Sequence, residues 1–70
     1  MNTDLKLSKR EHDIAKLVCK GYTNKEIGKI LFISIHTVKA NLEHIFEKLK
    51  VANRVQLAIK YTYETEFRYK

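Results

Sequence analysis

His36, Lys39, Ala40, Glu43 and Glu47 recur at spacings of one, three and four residues within this 70-residue chain. On a helix that turns roughly 100° per residue, they fall along one side, and none is a large apolar side chain. Their chemistry suits recognition better than catalysis. A lysine can donate to a guanine edge or to a phosphate, and an alanine admits close approach and can touch a thymine methyl. A carboxylate sits badly among phosphates unless it accepts from a cytosine amino group, which is one reading of Glu43. The plainer reading of Glu43 is an exposed residue pairing with Lys39 one turn earlier. His36 lies on the same side, near the start of the stretch, and joins the candidate base-reading set of Lys39, Ala40, Glu43 and His36.

A helix must hold that set in place, and residues 34–49, SIHTVKANLEHIFEKL, supply one. Val38, Leu42, Ile45 and Leu49 form an apolar stripe opposite the polar side, with Phe46 beside it. Ser34 is the expected N-cap, since its hydroxyl can accept from an orphaned backbone N–H. A shorter helix is expected over Asn24–Leu31, opened by the capping box Thr23–Asn–Lys–Glu26 and carrying Ile27, Ile30 and Leu31 inward. Only Phe32 and Ile33 separate the two, so the outline is a helix-turn-helix. Gly28, inside the shorter helix, costs about 1 kcal/mol relative to alanine. It therefore suggests that another backbone passes close by. Alanine there is expected to be tolerated, and leucine to unfold the motif.

Two further helices complete an all-α, four-helix domain. Ser8–Lys–Arg–Glu11 reads as a capping box, followed by Ile14, Ala15, Leu17, Val18 and Cys19 at helical spacing, with Gly21 as the C-terminal stop. Asn53–Arg–Val–Gln56 reads as another cap with glutamine in the box position. On the fourth helix Leu57, Ala58 and Tyr61 share the core side. Val55, Ile59 and Thr62 share the opposite side with Tyr63 nearby, an apolar patch suited to a two-fold contact with a second copy. Beyond Tyr61 the aromatics Tyr63, Phe67 and Tyr69 alternate with polar residues. With no partner for a strand, this reads as a frayed helix end plus a tail. The expected division is a flexible segment over 1–6, the domain over 7–63 and a tail over 64–70.

Fourteen Lys and Arg against 8 Asp and Glu leave a net charge of +6, which favours a polyanionic partner. Seventy residues make one small core and leave no room for a separate cofactor domain. No cofactor is expected. His12, His36 and His44 lie too far apart for ligands on one helix, and no glycine-rich phosphate loop is present, so the pattern argues against an enzyme. No apolar run approaches the roughly 20 residues that cross a bilayer, so no membrane partner is expected. One cysteine, Cys19, makes an internal disulfide impossible. Its place in an apolar pattern reads as a core thiol, in keeping with a reducing cytoplasm.

Several segments resemble the LuxR-type (GerE-like) helix-turn-helix domain of bacterial transcription regulators. They are Leu7–Ser–Lys–Arg–Glu11, Gly21–Tyr–Thr–Asn–Lys–Glu–Ile27, Ile33–Ser34, Thr37–Val–Lys39, Lys48–Leu49, Val51 and Arg54. The resemblance runs in register from about Leu7 to Tyr61. The promoter-reading domain of a sigma factor shares the three-helix core. Thr37–Val–Lys39, the Lys–Leu–x–Val turn and the capped fourth helix favour the LuxR type. Members often carry His at the position of Asn41 and Gly at that of Lys50, so contacts at those two positions differ from the family pattern.

The resemblance implies double-stranded DNA as partner, with Lys39, Ala40 and Glu43 facing bases and a homodimer formed through the fourth helix. Phosphate contacts are expected from Thr23, Asn24 and Lys25, where a helix N-terminus favours anions. Thr37, Asn41, Lys48 and Arg54 are further candidates. Arg54 has a competing reading, in which it holds the fourth helix to the core through backbone carbonyls. The rival function is a protein-interaction module of the same fold, binding a regulator or an RNA polymerase subunit, with Glu43 and Glu47 on its face. With no sensory domain ahead of the motif, the chain reads either as a free-standing regulator or as the DNA-binding end of a longer protein.

Overall fold

Each helix begins where a capping side chain stands. In the computed structural model, which describes residues 6–67, four α-helices follow one another: α1 Lys9–Cys19, α2 Asn24–Leu31, α3 Ile35–Leu49 and α4 Arg54–Thr62. Among the described residues there is no strand. Ser8 and Thr23 close full capping boxes with Glu11 and Glu26, each satisfying two backbone N–H groups that a helix start leaves unpaired. Ser34 Oγ accepts from Thr37 N at 3.0 Å and caps α3 alone. Asn53 caps α4, but its box is shifted by one residue. Gln56 Oε1 accepts from Ala52 N at 2.8 Å rather than from Asn53 N.

The first three helices end in a shared way. After α1, Gly21 takes φ +91°, and Tyr22 N donates back to Leu17 O at 3.1 Å. After α2, Phe32 is left-handed at φ +60°, and Ile33 N donates to Gly28 O at 2.9 Å. After α3, Lys50 is left-handed at φ +57°, and Val51 N donates to Phe46 O at 3.0 Å. These are the backward bonds of a left-handed helix stop. Glycine adopts that conformation freely, whereas a residue with a Cβ takes it at a cost of about 1–2 kcal/mol.

The core is assembled from all four helices. Ile14, Ala15 and Val18 of α1 meet Ile27 of α2, Val38, Leu42, Ile45 and Leu49 of α3, and Leu57 and Tyr61 of α4, all buried. Helix α1 packs on α3 and α4, while α2 packs mainly on α3. Full burial of a Leu or Ile side chain stabilises by roughly 1.5–3 kcal/mol. The α3 stripe is therefore the largest single contribution. Cys19 is half-buried rather than enclosed: its Sγ lies 3.7 Å from Ala58 O and accepts from Thr62 Oγ1 at 3.7 Å. Burial, with Glu66 nearby, raises its pKa despite the opposing Thr62 hydroxyl. The thiol therefore stays protonated at neutral pH.

Several expectations need correction. Ile30 is 44 % exposed and faces solvent, not the core. A second backbone does pass Gly28, but so closely that an added Cβ would lie 2.7 Å from Ile33 O. Alanine is therefore not tolerated without moving the turn. The tail expected from residue 64 is helical through Phe67. Tyr63–Phe67 continue α4 as a π-helical turn, in which Thr65 Oγ1 donates to Tyr61 O at 2.8 Å. The wider turn breaks the 3.6-residue period that the sequence pattern is read by. Segment 1–6 lies outside the described residues except for Lys6, and residues 68–70 lie outside them as well.

Candidate nucleic-acid interface

The outer side of α3 is set by the burial of its inner side. With Val38, Leu42, Ile45 and Leu49 held inside, His36, Lys39, Ala40, Glu43 and Glu47 are all exposed along the opposite face. Fifteen residues make α3 roughly 22 Å long. Ala40 lies in the middle of the polar face, where a larger side chain would hold the helix away from a groove.

Helix α2 packs mainly on α3, and its Gly28 lies against the backbone of the turn that leads into α3. Thr23 and Lys25 are exposed at the start of α2, while Asn24 is half-buried. Asn24 Oδ1 accepts from Arg54 Nη1 at 2.7 Å, and Arg54 Nη2 donates to Tyr22 O at 2.7 Å. Arg54 thus ties the start of α4 to the start of α2. This agrees with the structural reading of Arg54, one of its two bonds going to a backbone carbonyl. Asn24 keeps its amide N–H₂ for an outside partner.

On the other edge of α3, Thr37 Oγ1 and Ser34 Oγ share a hydrogen bond at 3.0 Å, and Asn41 Nδ2 donates to Thr37 O at 2.9 Å. Asn41 is half-buried, and its amide nitrogen carries a second N–H beside the one given to Thr37 O. Lys48, itself exposed, pairs across the helices. Its Nζ is 2.7 Å from Glu11 Oε1, a carboxylate whose side chain is 8 % exposed. Burial alone would raise the Glu11 pKa. The Lys48 ammonium and the Ser8 N–H and hydroxyl outweigh that and bring it below its ordinary value. Helical spacing revealed nothing of this pair, because the two residues are 37 apart in sequence.

The α4 patch is in place in part. Val55, Ile59 and Tyr63 are 68, 66 and 57 % exposed along one side. Thr62 is half-buried and bonded to Cys19, so it belongs to the α1–α4 contact rather than to the patch. A second cross-helix link, also unanticipated, joins His12 Nδ1 to Tyr61 Oη at 2.8 Å, with the rings edge to face. Burial raises the Tyr61 pKa, keeping the phenol neutral. Among the described residues, no group of three or more His, Cys, Asp or Glu gathers where it could hold a metal ion. No helix among them is long and apolar enough to cross a membrane.

The model of the luxR family of bacterial regulatory proteins matches residues 5–61. The transcriptional regulatory protein LiaR of Bacillus subtilis is 51 % identical over 53 residues, covering 76 % of this chain and 25 % of LiaR. The oxygen regulatory protein NreC of Staphylococcus carnosus is 49 % identical over 51 residues, covering 73 % of this chain and 24 % of NreC. The chain thus spans about a quarter of the length of these relatives. The match to most of the chain, on four helices with α2 packed on α3, places it in the luxR family of bacterial regulatory proteins as a helix-turn-helix DNA-binding domain.

Proposed function

We propose that the chain is the sequence-specific double-stranded DNA-binding part of a transcriptional regulator, with α3 lying in the major groove. Lys39, Ala40, Glu43 and His36 face base edges, and Thr23, Asn24, Lys25 and Thr37 position the backbone. The observation that carries this reading is the exposed polar face of α3, small at its centre, with Thr23 and Lys25 also exposed at the start of the helix packed on it. Two such domains pair through Val55, Ile59 and Tyr63 of α4 on an inverted repeat, setting their α3 helices in successive major grooves. The patch is small, so pairing is weak without DNA. Such a regulator works in the cytoplasm, where its DNA is.

The test begins with selection of bound sequences from a random DNA pool. Lys39→Ala is expected to abolish specific binding and leave the fold intact. Glu43→Gln is expected to raise non-specific affinity and relax choice at one base, by about 1–3 kcal/mol of discrimination. Ile59→Lys should fold as a monomer yet bind an inverted repeat far less well, as read by sedimentation with and without the site. One protein per site at saturation would sink the dimer. Exposed Glu43 and Glu47 favour the rival reading, a module that binds a regulator or a polymerase subunit. Affinity for DNA should fall steeply with salt, whereas an apolar protein contact responds little.

A further inference from the structure

Phe32 is the most exposed of the large hydrophobic residues, at 92 %, and it is held in the left-handed conformation that asparagine or glycine would adopt more easily. Its ring adds nothing to the core. The turn dictates its backbone conformation, but folding does not explain why the side chain there is an exposed aromatic, and strained positions of this kind concentrate where a surface is used.

Its surroundings indicate the use. Phe32 lines a shallow cleft with Lys25, Gly28, Lys29, Ile33 and Ile35. Lys25 and Lys29 stand one turn apart on α2, and Phe32, in the turn just past its end, lines the same cleft. Ile35, 42 % exposed, stands one turn before Lys39 on the same flank of α3. The cleft thus begins beside the start of α2 and ends beside the base-reading residues. Its apolar floor lies between exposed ammonium groups. A duplex wall has the matching chemistry, because phosphates alternate along it with the apolar C–H faces of deoxyribose, and thymine methyls lie just inside.

We infer that Phe32 and Ile35 pack against the sugar wall of the groove, while Lys25 and Lys29 hold the flanking phosphates, extending the interface from α3 onto the turn. This rests on the DNA reading above. An acidic amphipathic protein segment is the competing occupant. Continuity with the α3 face favours the duplex.

The experiment uses the full chain and a site selected with the wild type. Phe32→Gly and Phe32→Asn both suit the left-handed turn and should melt at or above the wild-type temperature. Each should lower DNA affinity about tenfold or more, as expected for losing one buried aromatic contact. The slope of affinity against salt should not change, and hydroxyl-radical protection should be lost at one or two deoxyriboses per half-site. Lys29→Ala should instead flatten the salt slope by about 0.9. Folded Phe32 variants with wild-type affinity and protection overturn the inference and leave the DNA reading standing. The same holds if they keep DNA affinity but lose transcription with purified polymerase, which assigns the cleft to a protein. A wild type that selects no sequence and binds DNA without salt dependence overturns both.

Discussion

Gly28→Ala sets helix propensity against close approach, and the structure decides which prevails. Within an exposed helix the change would stabilise by about 1 kcal/mol. Here the new Cβ would sit 2.7 Å from Ile33 O, well inside the roughly 3.3–3.6 Å of a tolerable C–H···O contact. That oxygen cannot swing aside as a side chain would. Ile33 N is bonded to Gly28 O at 2.9 Å, and Ser34, the next residue, caps α3. Overpacking of this kind costs about 1–3 kcal/mol. Because the propensity gain of about 1 kcal/mol offsets part of that, the net loss should be up to about 2 kcal/mol. A domain this small should then melt up to roughly 15 °C lower. Relief comes only by displacing the turn, so α3 should also tilt and DNA affinity should fall. Circular dichroism melts of wild type, Gly28→Ala and Gly28→Leu would measure it, with leucine the worst. A Gly28→Ala protein melting above the wild-type temperature would refute the close approach.

Lys48→Met strips the buried Glu11 carboxylate of its cation and should cost about 1–3 kcal/mol at neutral pH. Because the folded pKa of Glu11 is lowered, its stabilising contribution is present above the ordinary carboxylate value and is lost as pH falls through the folded one. The stability gap between wild type and variant, followed by urea titration, should therefore close in acid. A gap independent of pH would contradict the pair. Arg54→Met removes two cross-helix bonds and should destabilise by about 1–3 kcal/mol. The salt slope of DNA binding should stay unchanged, and a slope lower by about 0.9 would return Arg54 to a phosphate role. Lys50→Gly relieves a left-handed side chain and should stabilise by about 0.5–1 kcal/mol. A drop in its melting temperature would show that Lys50 makes a contact of greater worth.

Helix starts and the α3 face were legible because they are local. A cap acts over three residues and a helical face repeats every three or four, so Ser8, Thr23, Ser34 and Asn53 marked their positions unaided. The stripe of Val38, Leu42, Ile45 and Leu49 likewise fixed which side of α3 was buried, and by elimination which side was offered. What the sequence by itself determined, then, was the set of helices, their caps and the exposed face of α3. Tertiary structure decided what depends on residues far apart in the chain. Lys48 and Arg54 are cations that sequence order cannot distinguish from phosphate contacts. They bond within the chain because Glu11 and the α2 start come within reach only once the helices pack together. Gly28 announced a neighbour but not that the neighbour was a backbone oxygen at 2.7 Å. Glycine marked one left-handed stop, at Gly21. Phe32 and Lys50 take the same conformation only because the packed helices on either side dictate where the chain must turn, and that constraint outweighs the preference of a single residue.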